Sequence, residues 1–356
     1  MHSRLRIAQI APLTEAVPPK LYGGTERVVS FLTEELVALG HDVTLFASGD
    51  SVTAAQLVPM CPRALRLDPE VRDPLAPHLS MLEQIYRRAG EFDILHFHLD
   101  YLPFSLFSRQ PTPFVTTLHG RLDLPEIWPL YEMHSRAPLV AISASQRAQM
   151  HWANWAATIH HGLPERLLQP VPAEPSYLAF LGRIAPEKRV DRAIRIAGRS
   201  GVPLKIAAKV DRADQDYFDS RIRPLLAQPH VEFIGEIGDH EKAEFLSGAH
   251  ALLFPIDWPE PFGLVLIEAM ACGTPVITYG HGSVREIIED GITGFIVEDI
   301  PGAVEAVRRL PGLSRAAVRR RFEERFTGRR MAEDYVAMYR GLVQRQEALL
   351  QRMAAE

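Results

Sequence analysis

Two α/β domains in tandem, each built on a parallel sheet, are what this sequence predicts, and three observations lead there. Short apolar runs alternate with segments of helical period, and the alternation occurs in two successive series. A proline-rich, aperiodic stretch, LPERLLQPVPAEPSY at 163–177, separates the series and reads as an interdomain linker. The chain has 356 residues, 47% hydrophobic and 23% charged, enough for two full cores and without disordered or collagen-like bias.

The first series has strands over 5–10, 42–46, 94–97 and 114–118, with a helix over 25–39 and another before Gly90. Strands over 138–142 and 157–159 continue it. The second series has strands over 177–180, 203–207, 231–234, 250–254 and 275–278, with helices over 187–199 and from Gly263 onward. Residues 313–353 are helical in composition, with apolar positions at Val336, Met338, Tyr339, Leu342 and Leu349. Open parallel sheets bind ligands beyond the carboxyl ends of their strands, so the loops that follow the strands are where function is expected.

Composition excludes several classes. A net charge of −5 argues against a nucleic-acid-coating protein. Cys61 and Cys272 stand far apart, in a proline-rich loop and an apolar helix, so neither a disulfide framework nor a zinc site is indicated and a reducing cytoplasm is expected. No apolar run reaches the roughly 18 residues of a membrane span. The stretch 315–330 carries seven arginines against two glutamates, either a solvated helix face or a patch for an anionic membrane surface. No GxGxxG follows a strand, which counts against a nicotinamide-dependent dehydrogenase.

The most informative segment is WPEPFGLVLIEAMACGTPVI at 258–277. Pro259 and Pro261 hold Glu260 in an extended loop, because proline fixes its own φ and restricts the residue before it. From Gly263 the pattern is a buried helix ended by Gly273 and Pro275, with Glu268 inside it. Its first N–H groups, near Phe262, Gly263 and Leu264, form a terminus that attracts phosphate. An acid in so apolar a helix is costly unless hydrogen-bonded, so Glu268 is expected to have a partner or a ligand.

Other residues fit the same chemistry. In LGRIAPEKRVD, Arg183 and Lys188 flank a strand-to-helix turn, and two cations there suit a diphosphate. Lysine is rare, at five residues against 34 arginines. In PPKLYGGTERVVSFL, Gly23 and Gly24 precede a helix that Thr25 can cap, and paired glycines let backbone approach a ligand. His119 follows the strand FVTTLHG, at the strand's carboxyl end. His96 and His98 share one face of a strand, but spacing specifies no third ligand, so strand-end packing or an acceptor-side role is preferred to metal.

The 258–277 segment resembles the Glu-x7-Glu signature of retaining glycosyltransferases with two Rossmann-like domains, the large family 4. The resemblance covers nearly the whole chain and is most specific between 177 and 296. It implies a GT-B type fold, two Rossmann-like domains with parallel sheets facing across a cleft: 1–168, completed by a returning helix at about 332–356, and 169–331. It implies that Glu260 reaches the donor sugar, Glu268 binds the nucleotide ribose, and Arg183 and Lys188 hold the pyrophosphate. Gly23 and Gly24 then lie against the diphosphate and sugar, and His119 touches the donor sugar. Gly235 and Ile237 in VEFIGEIGD flank the base in this reading, a simple turn being the alternative. Lys209 faces the cleft or is a surface lysine. Where the family commonly has His-Asn-Gly before the linker, this chain has His160 and His161, which leaves the role of His161 open.

The implied activity is metal-independent transfer of a sugar from a nucleoside diphosphate donor to an acceptor hydroxyl, with retention and without a cofactor. A uridine diphosphate sugar such as UDP-glucose is the default donor and guanosine diphosphate mannose the next. The acceptor, a small molecule, glycan or lipid-linked compound, is shaped by the loops RLDLPEIWPLYE and HLDYLPF. The alternatives are a nucleotide-sugar epimerase or phosphorylase of the same architecture, the latter betrayed by a cofactor's Schiff-base absorbance, and a non-catalytic binder. A cytoplasmic protein, at most peripheral at the membrane's inner face, is expected.

Overall fold

The computed structural model describes residues 4–20 and 23–355, and the chain divides into two compact units, 1–162 with 328–356, and 163–327. These boundaries fall earlier than the expected 168 and 331. The first unit carries β1 (Arg6–Ile10), β2 (Asp42–Ser48), β3 (Gln56–Cys61), β4 (Ile94–Phe97), β5 (Phe114–Thr117), β6 (Leu139–Ala141) and β7 (Trp155–Thr158). The second carries β8 (Tyr177–Ile184), β9 (Leu204–Val210), β10 (Val231–Gly235), β11 (Ala249–Phe254), β12 (Val276–Tyr279) and β13 (Gly294–Val297). Helices of eight or more residues are α1 (Gly24–Ala38), α2 (Leu75–Arg88), α3 (Val190–Ser200), α4 (Asp239–Ser247), α5 (Leu264–Ala271), α6 (Ile300–Arg309), α7 (Arg315–Arg325) and α8 (Gly328–Ala355).

The first sheet has the order β3-β2-β1-β4-β5-β6-β7, all parallel, with Gln9 opposite His96 and Phe97 opposite Thr116. Chain order reverses between β1 and β4, and ligands of such sheets bind beyond the carboxyl ends at this point. Strands β4 and β5 are buried at every position, as strands covered on both faces must be. Ile10, Phe46 and Phe97 fill the core with Met81, Leu82 and Ile85 from α2. The sequence reading omitted β3 and put Cys61 in a loop. Its proline at position 59 argues against a central strand, but β3 is the edge strand, where a missing N–H costs little.

The second sheet has the order β10-β9-β8-β11-β12-β13, again all parallel, and reverses between β8 and β11. Helix α3 buries Val190, Ala193, Ile194 and Ala197 against it and stops at Gly201, whose φ of +72° is the left-handed conformation that glycine adopts at helix ends. The helix expected over 187–199 starts only at Val190, because Pro186–Lys188 is a separate 3₁₀ turn and Arg189 takes a left-handed φ of +53°. The sequence reading also missed β13, whose short GFIV sits among turn residues.

The basic stretch 315–330 is only partly a solvated face: Arg320 and Arg329 are exposed, but four of its seven arginines are spent within the fold. Arg315 donates to the carbonyls of Ala249 and Ser247 at 2.8 and 2.9 Å. Arg319, 8% exposed, donates to the carbonyls of Leu168, Ala271 and Glu165 at 2.8, 2.6 and 3.1 Å, pinning the linker to α7 and the end of α5. Arg325 pairs with Glu289 at 2.6 Å, and Arg330 donates to the carbonyls of His160 and His161. Among the described residues no helix is long and apolar enough to cross a membrane.

Helix α8 closes the first unit through buried polar groups. The Gln9 amide nitrogen donates to the Tyr339 hydroxyl at 3.1 Å and lies 3.3 Å from His96 Nδ1, which the Tyr339 hydroxyl also reaches at 2.6 Å. His96 Nε2 meets Thr117 Oγ1 at 2.7 Å, and Thr117 meets the Tyr335 hydroxyl at 2.9 Å. Tyr335 and Tyr339 are fully buried, and burial raises both phenols. Burial also pushes His96 and His98 well below the usual histidine range, with neighbouring histidines adding to the effect, so both rings are neutral.

Two predictions follow from these anchors. Replacing Arg319 by Met strands buried carbonyls and should lower unfolding free energy by about 2 kcal/mol in urea titrations, whereas the same change at exposed Arg320 should have almost none. The buried histidines gain protons only on unfolding, so stability should fall as pH drops below about 6.5. In urea titrations between pH 7 and 5.5, His96→Gln should show a shallower fall than wild type, by up to about 1.4 kcal/mol per pH unit. Comparing the slopes cancels Glu26, whose carboxyl is raised by burial and which pulls the other way. Equal slopes would show that His96 does not titrate on unfolding.

Candidate active site

In the second unit, the two loops that leave the reversal point of the sheet meet each other. One follows β8 and carries Lys188 in its 3₁₀ turn; the other follows β11 and carries Glu260. The Lys188 ammonium and a Glu260 carboxylate oxygen form an ion pair, and the Trp258 indole N–H donates to that same oxygen at 2.9 Å. The ammonium lies 5.6 Å from the Phe254 ring centre and 5.2 Å from that of Trp258, so two aromatic faces add attraction and exclude water. Glu260 is 9% exposed, and a carboxylate so withdrawn from water requires such partners.

The backbone around Glu260 is held from both sides. Its carbonyl accepts from Ser283 N at 3.0 Å, and the Ser283 hydroxyl donates to the Phe262 carbonyl at 2.8 Å. Gly282 must be glycine: its φ is +62°, and a Cβ there would fall 2.3 Å from the Glu260 backbone N and O. Asp257 ties the loop to α3 through Arg189 at 2.6 Å and Arg192 at 3.0 Å.

Gly263, at φ +83°, turns the chain into α5, whose first residue is Leu264. Phe262 is buried and packs edge-on to Phe326, centroids 6.4 Å apart. One turn into α5, Glu268 is 5% exposed and accepts from Lys242 Nζ at 2.7 Å, while Lys242 also pairs with Asp239 at 3.2 Å. Burial, then the adjacent Glu268 charge, pushes the Cys272 thiol up to about 12, leaving it unreactive. Lys242 was not singled out from the sequence. The signal was available: it is one of only five lysines, the same scarcity that marked Lys188.

Arg183, at the end of β8, lies among carboxylates rather than in an open basic seat. It pairs with Glu187 at 2.8 Å, Asp214 at 3.2 Å and Asp211 at 3.7 Å, and Lys209 pairs with Asp211 at 3.0 Å. Burial raises the Asp214 carboxyl, and nearby Glu187 and Asp211 add to the rise against the pull of Arg183. Gly235 ends the edge strand β10 at φ +81°, beside a register shift, with Ile237 half-buried beyond it.

The residues predicted in the first unit occupy loops at the carboxyl edge of its sheet. Gly23 is the N-cap of α1, with no side-chain cap, so Thr25 does not serve as one. A Cβ on Gly23 would fall 2.8 Å from the Pro19 side chain, and Gly24 opens the helix. His119 follows β5, and its Nε2 lies 2.9 Å from His98 Nδ1. His161, left open by the sequence, stacks on His119 with ring centres 5.3 Å apart and planes 18° from parallel. Burial pushes His119 down to about 3, so it is uncharged at neutral pH. The rings of His96 and His98 spend their nitrogens on hydrogen bonds within the protein.

The sequence profile of glycosyltransferase family 4 matches residues 22–176, and that of the group 1 glycosyl transferases matches 168–311. A phosphatidyl-myo-inositol mannosyltransferase of Mycolicibacterium smegmatis is 27% identical, over 85% of this chain and 84% of its own. A glycogen synthase of Mycobacterium tuberculosis is 26% identical, over 85% and 86%. Among solved structures, AviGT4, a glycosyltransferase involved in avilamycin A biosynthesis, superposes with a TM-score of 0.76 at 27% identity, over 96% of this chain and 98% of that one. The sucrose-phosphate synthase of Thermosynechococcus elongatus shares the fold, with a TM-score of 0.70 at 20% identity over 99% and 100%. With its two parallel-sheet, Rossmann-like units and these two profiles end to end, the chain belongs to the group 1 glycosyltransferases of family 4, of the GT-B fold.

Proposed function

We propose that this glycosyltransferase moves a hexose from a nucleoside diphosphate sugar to an acceptor hydroxyl, retaining anomeric configuration and using no metal. The observation that carries this reading is the Lys188–Glu260 pair under Trp258, built where the second sheet reverses. A carboxylate held beside an ammonium can accept hydrogen bonds from sugar hydroxyls, and the ammonium can stabilise the diphosphate as it departs. Both Glu260 partners draw electron density from its carboxylate, which suits an orienting group better than a nucleophile. We assign retention to same-face attack assisted by the leaving phosphate.

In the same reading Arg183 joins Lys188 on the diphosphate, with the start of α5 at Phe262, Gly263 and Leu264. Glu268 holds the ribose, and Gly235 and Ile237 border the base, with Lys209 nearby. Gly23, Gly24 and His119 serve the donor from the first unit. A UDP-hexose is the first donor to assay and GDP-mannose the second; a mannosyltransferase and a glycogen synthase both stand among the relatives. The acceptor is a glycan, a small molecule or a lipid-linked compound, and the enzyme works in the cytoplasm.

Incubation with radiolabelled nucleotide sugars and an acceptor panel tests the activity. Transfer, or slow donor hydrolysis, that persists in EDTA and gives a product with the donor's anomeric configuration by NMR is expected; inertness toward every common donor overturns the reading. Glu260→Gln should lower kcat by ~10²-fold while nucleotide affinity stays near wild type by calorimetry. Glu268→Ala should instead weaken nucleotide binding about tenfold. Nucleotide binding by wild type without turnover, unchanged by Glu260→Gln, would leave only a binding protein.

A further inference from the structure

We infer that Gln9 and His98 fix which nitrogen of His119 carries its proton, so that His119 meets a donor-sugar hydroxyl as a hydrogen-bond acceptor through Nδ1. The inference rests on the proposed contact between His119 and the donor sugar, and it adds two positioning residues outside that contact.

The geometry is a chain of hydrogen bonds with a direction. Gln9 Oε1 lies 2.9 Å from His98 Nε2, and a carbonyl oxygen has no proton, so Nε2 is the donor. A neutral imidazole has one N–H, which leaves a lone pair on His98 Nδ1. That lone pair faces His119 Nε2 at 2.9 Å, so Nε2 carries the His119 proton and Nδ1 is the acceptor. The Gln9 amide is oriented from its other end, where its nitrogen donates to the Tyr339 hydroxyl at 3.1 Å and toward His96 Nδ1 at 3.3 Å. Tyr339 then donates to His96 Nδ1 at 2.6 Å, and His96 Nε2 donates to Thr117 at 2.7 Å.

Burial keeps His96, His98, His119 and His161 uncharged at neutral pH, so each ring has a single N–H. Within the first unit, Gln9 and His96 lie on β1 and β4, His98 just after β4, and His119 just after β5, so neighbouring strands hold the donors and acceptors in register. His161 stacks on the His119 ring and limits its rotation. A neutral acceptor orients a hydroxyl without setting a positive charge beside a sugar that becomes cationic in the transition state, which an imidazolium would do.

The test combines NMR of the ¹⁵N-histidine-labelled full chain with kinetics. In wild type, His119 should show a protonated Nε2 and an unprotonated Nδ1; the opposite tautomer overturns the inference whether or not a donor has been found. In His98→Phe, the His119 tautomers should mix and kcat for transfer should fall about tenfold, while the donor KM moves less than about threefold. Wild-type kcat with an unchanged His119 spectrum in that variant sinks the inference and leaves the proposed function standing. Failure of wild type to turn over any donor sinks the proposed function instead, and the wild-type spectrum still decides the direction of the chain. Should His98→Phe fail to fold, Gln9→Leu is the second variant: it removes the oxygen that fixes the His98 proton, so mixed His119 tautomers support the chain and an unchanged spectrum overturns it.

Discussion

A carboxylate withdrawn from water has to be paired, and the second unit is arranged around meeting that condition twice. Glu260 and Glu268 are 9% and 5% exposed, and each has a lysine, Lys188 and Lys242 respectively. Lone buried ions cost several kcal/mol, so each pair constrains everything that positions it: the 3₁₀ turn before α3, the Gly282 contact under the Glu260 backbone, and the seat of α4 against α5. A ligand entering here meets groups that are already charged and already held. Its hydroxyls and phosphates compete for the existing partners rather than ordering loose side chains, and preorganised charge of this kind is where enzymes gain most.

The first unit meets its polar obligations differently, without charge. Three histidines, a glutamine, a threonine and two tyrosines hydrogen-bond to one another at the carboxyl edge of the sheet, and burial keeps the rings neutral. The two units therefore carry complementary chemistries: ion pairs in the second, and a neutral hydrogen-bond chain in the first. That division follows from residue type: burial strips the imidazoles of charge, whereas the carboxylates of the second unit are met by lysines.

Much of this was legible in the sequence, and the misses have physical causes. The alternation of strands and helices is a local signal, and it located eleven of the thirteen strands among the described residues. The two it missed, β3 and β13, are edge strands, where proline and turn residues are tolerated because one side of the ladder is unused. Glu260, Glu268 and Lys188 stood out because proline, apolar surroundings and lysine scarcity mark them locally. Partners did not stand out. Lys242 lies 26 residues from Glu268 and Tyr339 lies 330 from Gln9, and nothing in periodicity reports a contact across such separations. The arginines of 315–330 misled for the same reason: a run of like charge reads as solvated until the carbonyls it serves, from Glu165 to Ala271, are brought beside it.

Helix α8 has a consequence for the order in which the protein comes into being. The first unit consists of 1–162 and 328–356, so it is begun before the second unit and completed only after it. While 163–327 is being made, Gln9, His96 and Thr117 lack the two tyrosines of α8 that they bond in the finished unit. The second unit is continuous and can close on its own schedule. The polar seam along the middle strands of the first sheet is therefore completed only by a helix encoded after an entire other unit.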